Sequence, residues 1–210
     1  NANAATHPSI VGRYGNDVFL AQVEYAETGW RGGVFAFHDG RSPQRRLTFE
    51  GDGKCVLLPG GRVAYIRYSD HSVEFRGLHG DGRPRSIELA SPTSVVQFGA
   101  SLAVGSGRGI TLYNGASLVR SRTLPLEGVT LLAAHGDRLI AVHGFGVHVT
   151  EFTRSLGVRR TIAFERRVVA LAAYGKDRLV IGNSECDVSR GETVLFDMRT
   201  GAAVWRTETT

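Results

Sequence analysis

The 210-residue chain is short of several things, and each shortage closes off a class of protein. It has two cysteines, Cys55 and Cys186, far apart in sequence. That is too few for a disulfide framework, and their spacing matches no metal site. No apolar run approaches the roughly 18 residues of a membrane-crossing helix, so no membrane insertion is expected. No helical period of apolar residues is sustained over a useful length, which excludes a coiled coil and a helical bundle. Lysine is nearly absent: of 25 basic residues only Lys54 and Lys176 are lysine. This skew reads as genomic base composition rather than phosphate recognition. The formal net charge of +5 permits nucleic-acid binding without requiring it. The chain opens Asn-Ala-Asn rather than with Met, which reads as a processed or partial chain.

Glycine is what the sequence has in quantity, 27 residues without a collagen period. Many glycines in a chain with 42% apolar residues imply many tight turns between short strands. One unit recurs. Its clearest copy reads Val129-Thr-Leu-Leu-Ala-Ala, a turn at His135-Gly-Asp, Arg138-Leu-Ile-Ala-Val-His, a turn at Gly144-Phe-Gly, Val147-His-Val-Thr-Glu-Phe, and the basic segment Val158-Arg-Arg-Thr-Ile-Ala-Phe. The next copy begins Val168-Val-Ala-Leu-Ala-Ala, turns at Tyr174-Gly-Lys-Asp and continues Arg178-Leu-Val-Ile-Gly. Three weaker copies precede these, and the turn glycines Gly15, Gly61, Gly99, Gly136 and Gly175 mark the register.

A period of about 40 residues with four strands per unit predicts a β-propeller. The expected fold is all-β, with five four-stranded antiparallel blades over 9–50, 54–90, 94–126, 128–164 and 167–207. Residues 1–8 form a flexible tail, and the whole is either a complete propeller or part of a larger one. The first two strands of each unit are apolar on both faces, as strands covered by neighbouring sheets must be. The fourth carries arginine: Arg45, Arg46, Arg85, Arg120, Arg122, Arg159, Arg160 and Arg206. On an exposed edge strand such charges oppose aggregation, and that role accounts for their recurrence. A nucleic-acid partner is disfavoured, since no aromatics alternate with these arginines.

The last unit, Val194-Leu-Phe-Asp-Met-Arg-Thr-Gly-Ala-Ala-Val-Trp-Arg, resembles the third strand, turn and fourth strand of quinoprotein-like and WD40-like propeller repeats. Asp197, Thr200 and Gly201 match the turn of that pattern, and Trp205 matches the tryptophan that caps its fourth strand. The other four units lack the tryptophan, and no unit carries the Gly-His and Trp-Asp pair of a WD40 repeat. Nothing matches a quinone site, and no cofactor is expected. The resemblance implies a propeller across the chain and assigns no subfamily.

Catalysis finds no motif: there is no Gly-x-Ser-x-Gly, no His-Glu-x-x-His and no phosphate-cradling glycine loop. No catalytic residue is assigned, and the reading leans against an enzyme. Asp17, Asp137 and Asp177 are equivalent turn residues and read as structural. His135, His143 and His148 cluster in one unit without a third ligand for any pair, so no metal is expected. Asn183 to Asp187 resembles a cation loop in composition but lacks the calcium pattern.

The connections between second and third strands hold aromatic and arginine residues of the types enriched at binding hot spots. They are Trp30, Arg31, His71, Arg108 and Phe145. The reading that follows is a non-catalytic interaction module, bacterial, that docks a protein partner or belongs to a larger assembly. The alternative is a lectin-like or glycosidase-like propeller taking a carbohydrate in a central funnel, with Glu27, Asp70 and Glu185 as its carboxylates. The cytoplasm is favoured as compartment.

Overall fold

A computed structural model describes residues 7–26, 29–37, 44–51, 53–79, 82–174, 177–184 and 191–209. Among these there is no helix. The first sheet is β1 (His7–Tyr14), β2 (Asp17–Ala26), β3 (Gly29–Phe37) and β4 (Gln44–Glu50); the second is β5 (Gly53–Leu58), β6 (Arg62–Arg67), β7 (Ser72–Gly77) and β8 (Arg85–Glu88). The third is β9 (Pro92–Phe98), β10 (Ser101–Ser106), β11 (Gly109–Asn114) and β12 (Arg120–Pro125). The fourth is β13 (Leu131–His135), β14 (Arg138–His143), β15 (His148–Phe152) and β16 (Val158–Ala163); the fifth is β17 (Arg167–Tyr174), β18 (Arg178–Ser184), β19 (Gly191–Asp197) and β20 (Ala202–Thr209). Every sheet pairs its strands in chain order and antiparallel. The chain is a five-bladed β-propeller. It divides into two compact units, Asn1–Pro92 and Thr93–Thr210.

The turn glycines do what the repeat asks of them. Gly136 lies at φ +59 between His135 and Arg138, where a two-residue hairpin requires the left-handed region. Gly15, Gly61 and Gly99 adopt the same sign, while Gly175 lies outside the described residues. Four of the five sheets also share a bulge at one place in the pairing of third and fourth strands. It falls at Val34/Phe35, Leu112/Tyr113, Glu151/Phe152 and Leu195/Phe196. These bulges align the repeats more closely than the sequence does.

In the first unit the core packs Phe19, Val34, Phe49, Tyr65 and Leu78 together. Phe49 and Tyr65 stack at 4.4 Å, and the Tyr65 hydroxyl donates to the Gly51 carbonyl. Cys55 is free and buried there, and burial pushes its thiol up to about 12, so it is chemically quiet. In the second unit Ile110, Leu139 and Phe152 fill one inter-sheet layer. Ile140, Val142, Leu179, Ile181 and Phe196 fill the next. Each such side chain contributes about 1.5–3 kcal/mol of burial.

Several strand-four arginines make contacts beyond edge protection. Arg122 donates to the Ser155 carbonyl at 2.9 Å, in the β15–β16 turn of the following sheet. Arg160, at the same place after the bulge, donates to the carbonyls of Met198 and Arg199 at 2.8 and 2.9 Å, in the β19–β20 turn. These are latches between neighbouring sheets. Arg159 reaches the buried carboxylate of Glu151, which also receives Arg138, and Arg138 pairs with Asp177 at 3.1 Å. Arg206 lies inside β20 rather than at its start and faces Glu192 at 3.5 Å. A local sequence pattern shows charge on an edge strand; it cannot show a carbonyl some 38 residues away.

Candidate functional site

In the second unit the turns between second and third strands are cross-braced through backbone atoms. The β10–β11 turn is Gly107-Arg108, and the Arg108 amide donates to the Ser106 hydroxyl, which itself donates to the Gly109 carbonyl. Gly128 then donates its amide to the Gly107 carbonyl at 2.9 Å, and Gly144 donates to the carbonyl of Glu127 at 3.0 Å. The adjacent pair Glu127-Gly128 thus ties the turn carrying Arg108 to the turn carrying Phe145. Val168, at the start of the fifth sheet, closes the series by donating to the Gly146 carbonyl at 2.8 Å.

Phe145 sits at φ +61 with Gly144 and Gly146 also at positive φ, and it is 74% exposed. A bulky residue in the left-handed region costs about 1–3 kcal/mol and persists only where surroundings over-determine it. Here the backbone braces on either side do so. Arg108 is likewise exposed. The structure therefore brings these two predicted residues to one end of the second unit.

In the first unit His71 is exposed at φ +52 in the β6–β7 turn, and its carbonyl accepts the Leu89 amide at 2.9 Å. Beside it the Ser69 hydroxyl and the Arg67 guanidinium hold the Asp70 carboxyl below its ordinary range. Arg67 also pairs with the buried Glu74, which Arg76 meets on its other oxygen. Trp30 and Arg31 are not loop residues: both lie in β3, opposite Tyr25 and Glu24. The β2–β3 pairing extends to Ala26 and Gly29, whereas the Thr-Gly of the sequence reads as the middle of a longer connection. Similarly, His135 ends β13 rather than occupying the turn, and Asn183 belongs to β18. Glu27 and residues 185–187 lie outside the described residues.

One row escaped the sequence reading. Arg67, Ser106, His143 and Asn183 occupy the same place near the end of the second strand of their sheets. His143 Nε2 lies 2.8 Å from the Thr150 hydroxyl, which lies 2.9 Å from that of Thr161. Burial, with His148 stacked at 5.4 Å, holds the His143 imidazole below its ordinary pKa. The signal was a polar residue closing an apolar strand in four consecutive repeats. Among the described residues no three His, Cys, Asp or Glu side chains are grouped to hold a metal ion. Nor is any helix long and apolar enough to cross a membrane.

No family model matches the sequence, and no curated protein matches it. Solved structures do. A chain of the nidogen/laminin complex aligns with a TM-score of 0.68 at 13% identity, over 90% of this chain and 74% of that one. BamB from Moraxella catarrhalis gives 0.59 at 14% identity, over 94% and 62%. Apo AztD from Citrobacter koseri gives 0.60 at 14% identity, over 99% and 83%. At these identities the likeness shows the propeller fold. In the turn at Asp197 the carboxylate accepts the amides of Arg199 and Thr200, and Gly201 lies at φ +74.

Proposed function

We propose that this protein is a non-catalytic interaction module that docks a protein partner on the turns between second and third strands. Phe145 carries the reading. A large apolar side chain, mostly exposed and held in a strained conformation by backbone braces on both sides, is a pre-organised anchor. Rigid presentation lowers the ordering cost that binding otherwise incurs. Arg108, on the neighbouring braced turn, adds a charged donor, and arginine is among the residue types enriched at hot spots. His71 offers the same device in the first unit, with Trp30 and Arg31 as further contacts from β3. One structural neighbour was solved as part of a protein–protein complex, which supports this use of the fold. Of the carboxylates that a funnel glycosidase would need, Asp70 is engaged by Arg67 and Ser69.

Quantitative affinity capture from the native host tests the reading. Phe145→Ala and Arg108→Ala should each keep the fold and lose a partner that wild type retains, by about 1–4 kcal/mol on the hot-spot scale. Arg120→Ser, on the outer strand, should retain it. Loss with Arg120→Ser and retention with both turn variants would move the interaction to the basic rim.

A further inference from the structure

Asn183 stands where the repeat places a polar group in four sheets, and its side-chain oxygen has no partner in its own sheet. In the second sheet Arg67 uses both terminal nitrogens, on Asp70 and Glu74. In the third, Ser106 donates to the Gly109 carbonyl. In the fourth, His143 meets Thr150. In the fifth the residue matching Thr150 is Val194, so the hydroxyl is gone. Asn183 is 5% exposed, and its Oδ1 has no hydrogen-bond partner. A buried carbonyl without a donor is costly and uncommon in native folds.

The amide lines a cavity of about 360 Å³ within the second unit. Strand register puts Glu192 and Glu208 in one row with Asn183, and Val194 and Arg206 in the next. Phe164, Glu165 and Arg166 line it from the fourth sheet and its connection to β17. Phe164 and Phe196 meet edge to face at 5.5 Å, giving the cavity an aromatic wall. Glu192 is largely buried and faces Arg206 at 3.5 Å. The volume lies in the range of roughly 300–1,000 Å³ typical of small-molecule sites.

We infer that this cavity binds a neutral carbohydrate of one or two rings. The lining mixes groups that only accept (the three carboxylates), groups that only donate (two guanidinium groups) and an amide that does both. Hydroxyl groups donate and accept, so a polyol satisfies all three kinds at once. An amine gives only donors and meets two arginines; an anion meets three carboxylates. The Phe rings offer the apolar C–H face of a sugar a surface to lie on. The unmet acceptor among the lining residues, Asn183 Oδ1, calls for a donor from the ligand. This site shares no residue with the proposed docking turns, and either reading can fail without the other.

Saturation-transfer NMR on the full chain tests it, with D-glucose, D-galactose, D-mannose and maltose as probes and cadaverine and gluconate as controls. At least one neutral sugar should receive saturation, with an affinity in the millimolar range. Asn183→Leu keeps the volume, removes the unmet amide and should weaken binding by about tenfold or more, a change of about 1.4 kcal/mol. Val194→Thr restores the hydroxyl found in the fourth sheet, gives Asn183 an internal partner and should also weaken binding. It covers the case in which Asn183→Leu does not fold. Transfer to none of the four sugars, transfer only to the charged controls, or sugar binding unchanged in both folded variants would each overturn the inference.

Discussion

Replacing Arg160 by alanine separates the two accounts of the strand-four arginines. Its guanidinium donates to Met198 O at 2.8 Å and Arg199 O at 2.9 Å, across a sequence gap of 38 and 39 residues. A hydrogen bond from a charged donor contributes about 1.5–3 kcal/mol when water cannot replace it. Met198 is 5% exposed, so its carbonyl loses a partner, whereas Arg199 is exposed and water takes over. The net loss is therefore about 2 kcal/mol, nearer one such bond than two. For a chain of this length that lowers the melting temperature by about 4–8 °C. Arg122→Ala breaks one bond to an exposed turn carbonyl that water takes over, and should cost about 0.5 kcal/mol or less. Arg120→Ser, without such a latch, should stay within about 0.5 kcal/mol. Calorimetry gives the totals, and hydrogen exchange at the Arg199 and Thr200 amides locates the effect in the β19–β20 turn. If Arg160→Ala melts with wild type and only precipitates more readily, the arginines are edge protection and the latch carries no stability.

Two further outcomes follow from buried polar groups. Glu151 is 2% exposed with Oε2 unpartnered, in the place held by Leu112 and Leu195 in the adjacent sheets, so Glu151→Leu should be neutral or up to about 3 kcal/mol more stable in denaturant unfolding. Glu151→Ala should lose about 2–4 kcal/mol by leaving a cavity where Arg138 keeps only Asp177, and a leucine variant as unstable as the alanine one would contradict this. His143 has its folded pKa lowered by burial and by His148, so the unfolded chain binds the extra proton first. Stability is then complete above about pH 6.5 and falls as pH drops below it, a slope that thermal melts should show in wild type and that Asn at position 143 should abolish.

The architecture was legible because a propeller writes itself locally. Turn glycines such as Gly136, apolar inner strands such as Leu139–Val142 and a basic fourth strand recur within each unit, and each follows from neighbours a few residues away. The candidate site was legible only in part. Arg108, His71 and Phe145 sit in two- and four-residue turns, which composition marks well. Trp30 and Arg31 were misplaced because a Thr-Gly pair reads as a loop centre, whereas pairing of β2 with β3 continues past them. Asn183 looked like the first residue of a polar insertion. That its Oδ1 is unmet depends on Val194 opposite Ile181, a fact of register rather than composition.

The polar row at the ends of the second strands shows how a repeat changes its side chains without changing its fold. Deeper rows, such as Leu139 and Leu179, are apolar in both the fourth and fifth sheets because they are sealed between layers. The last row lies beside the turns, where a polar side chain is tolerated if its own sheet satisfies it. Ser106 and His143 meet that condition through backbone and hydroxyl partners of their own sheets, and Arg67 meets it at its two terminal nitrogens. A single exchange of threonine for valine on the facing strand removes the partner from the fifth sheet while leaving strand, register and bulge intact. The fold loses one internal hydrogen bond and gains an unmet acceptor in a cavity. Stability alone would favour a hydroxyl at position 194, so the pairing of a buried amide with valine there is the kind of local inconsistency expected at a ligand site.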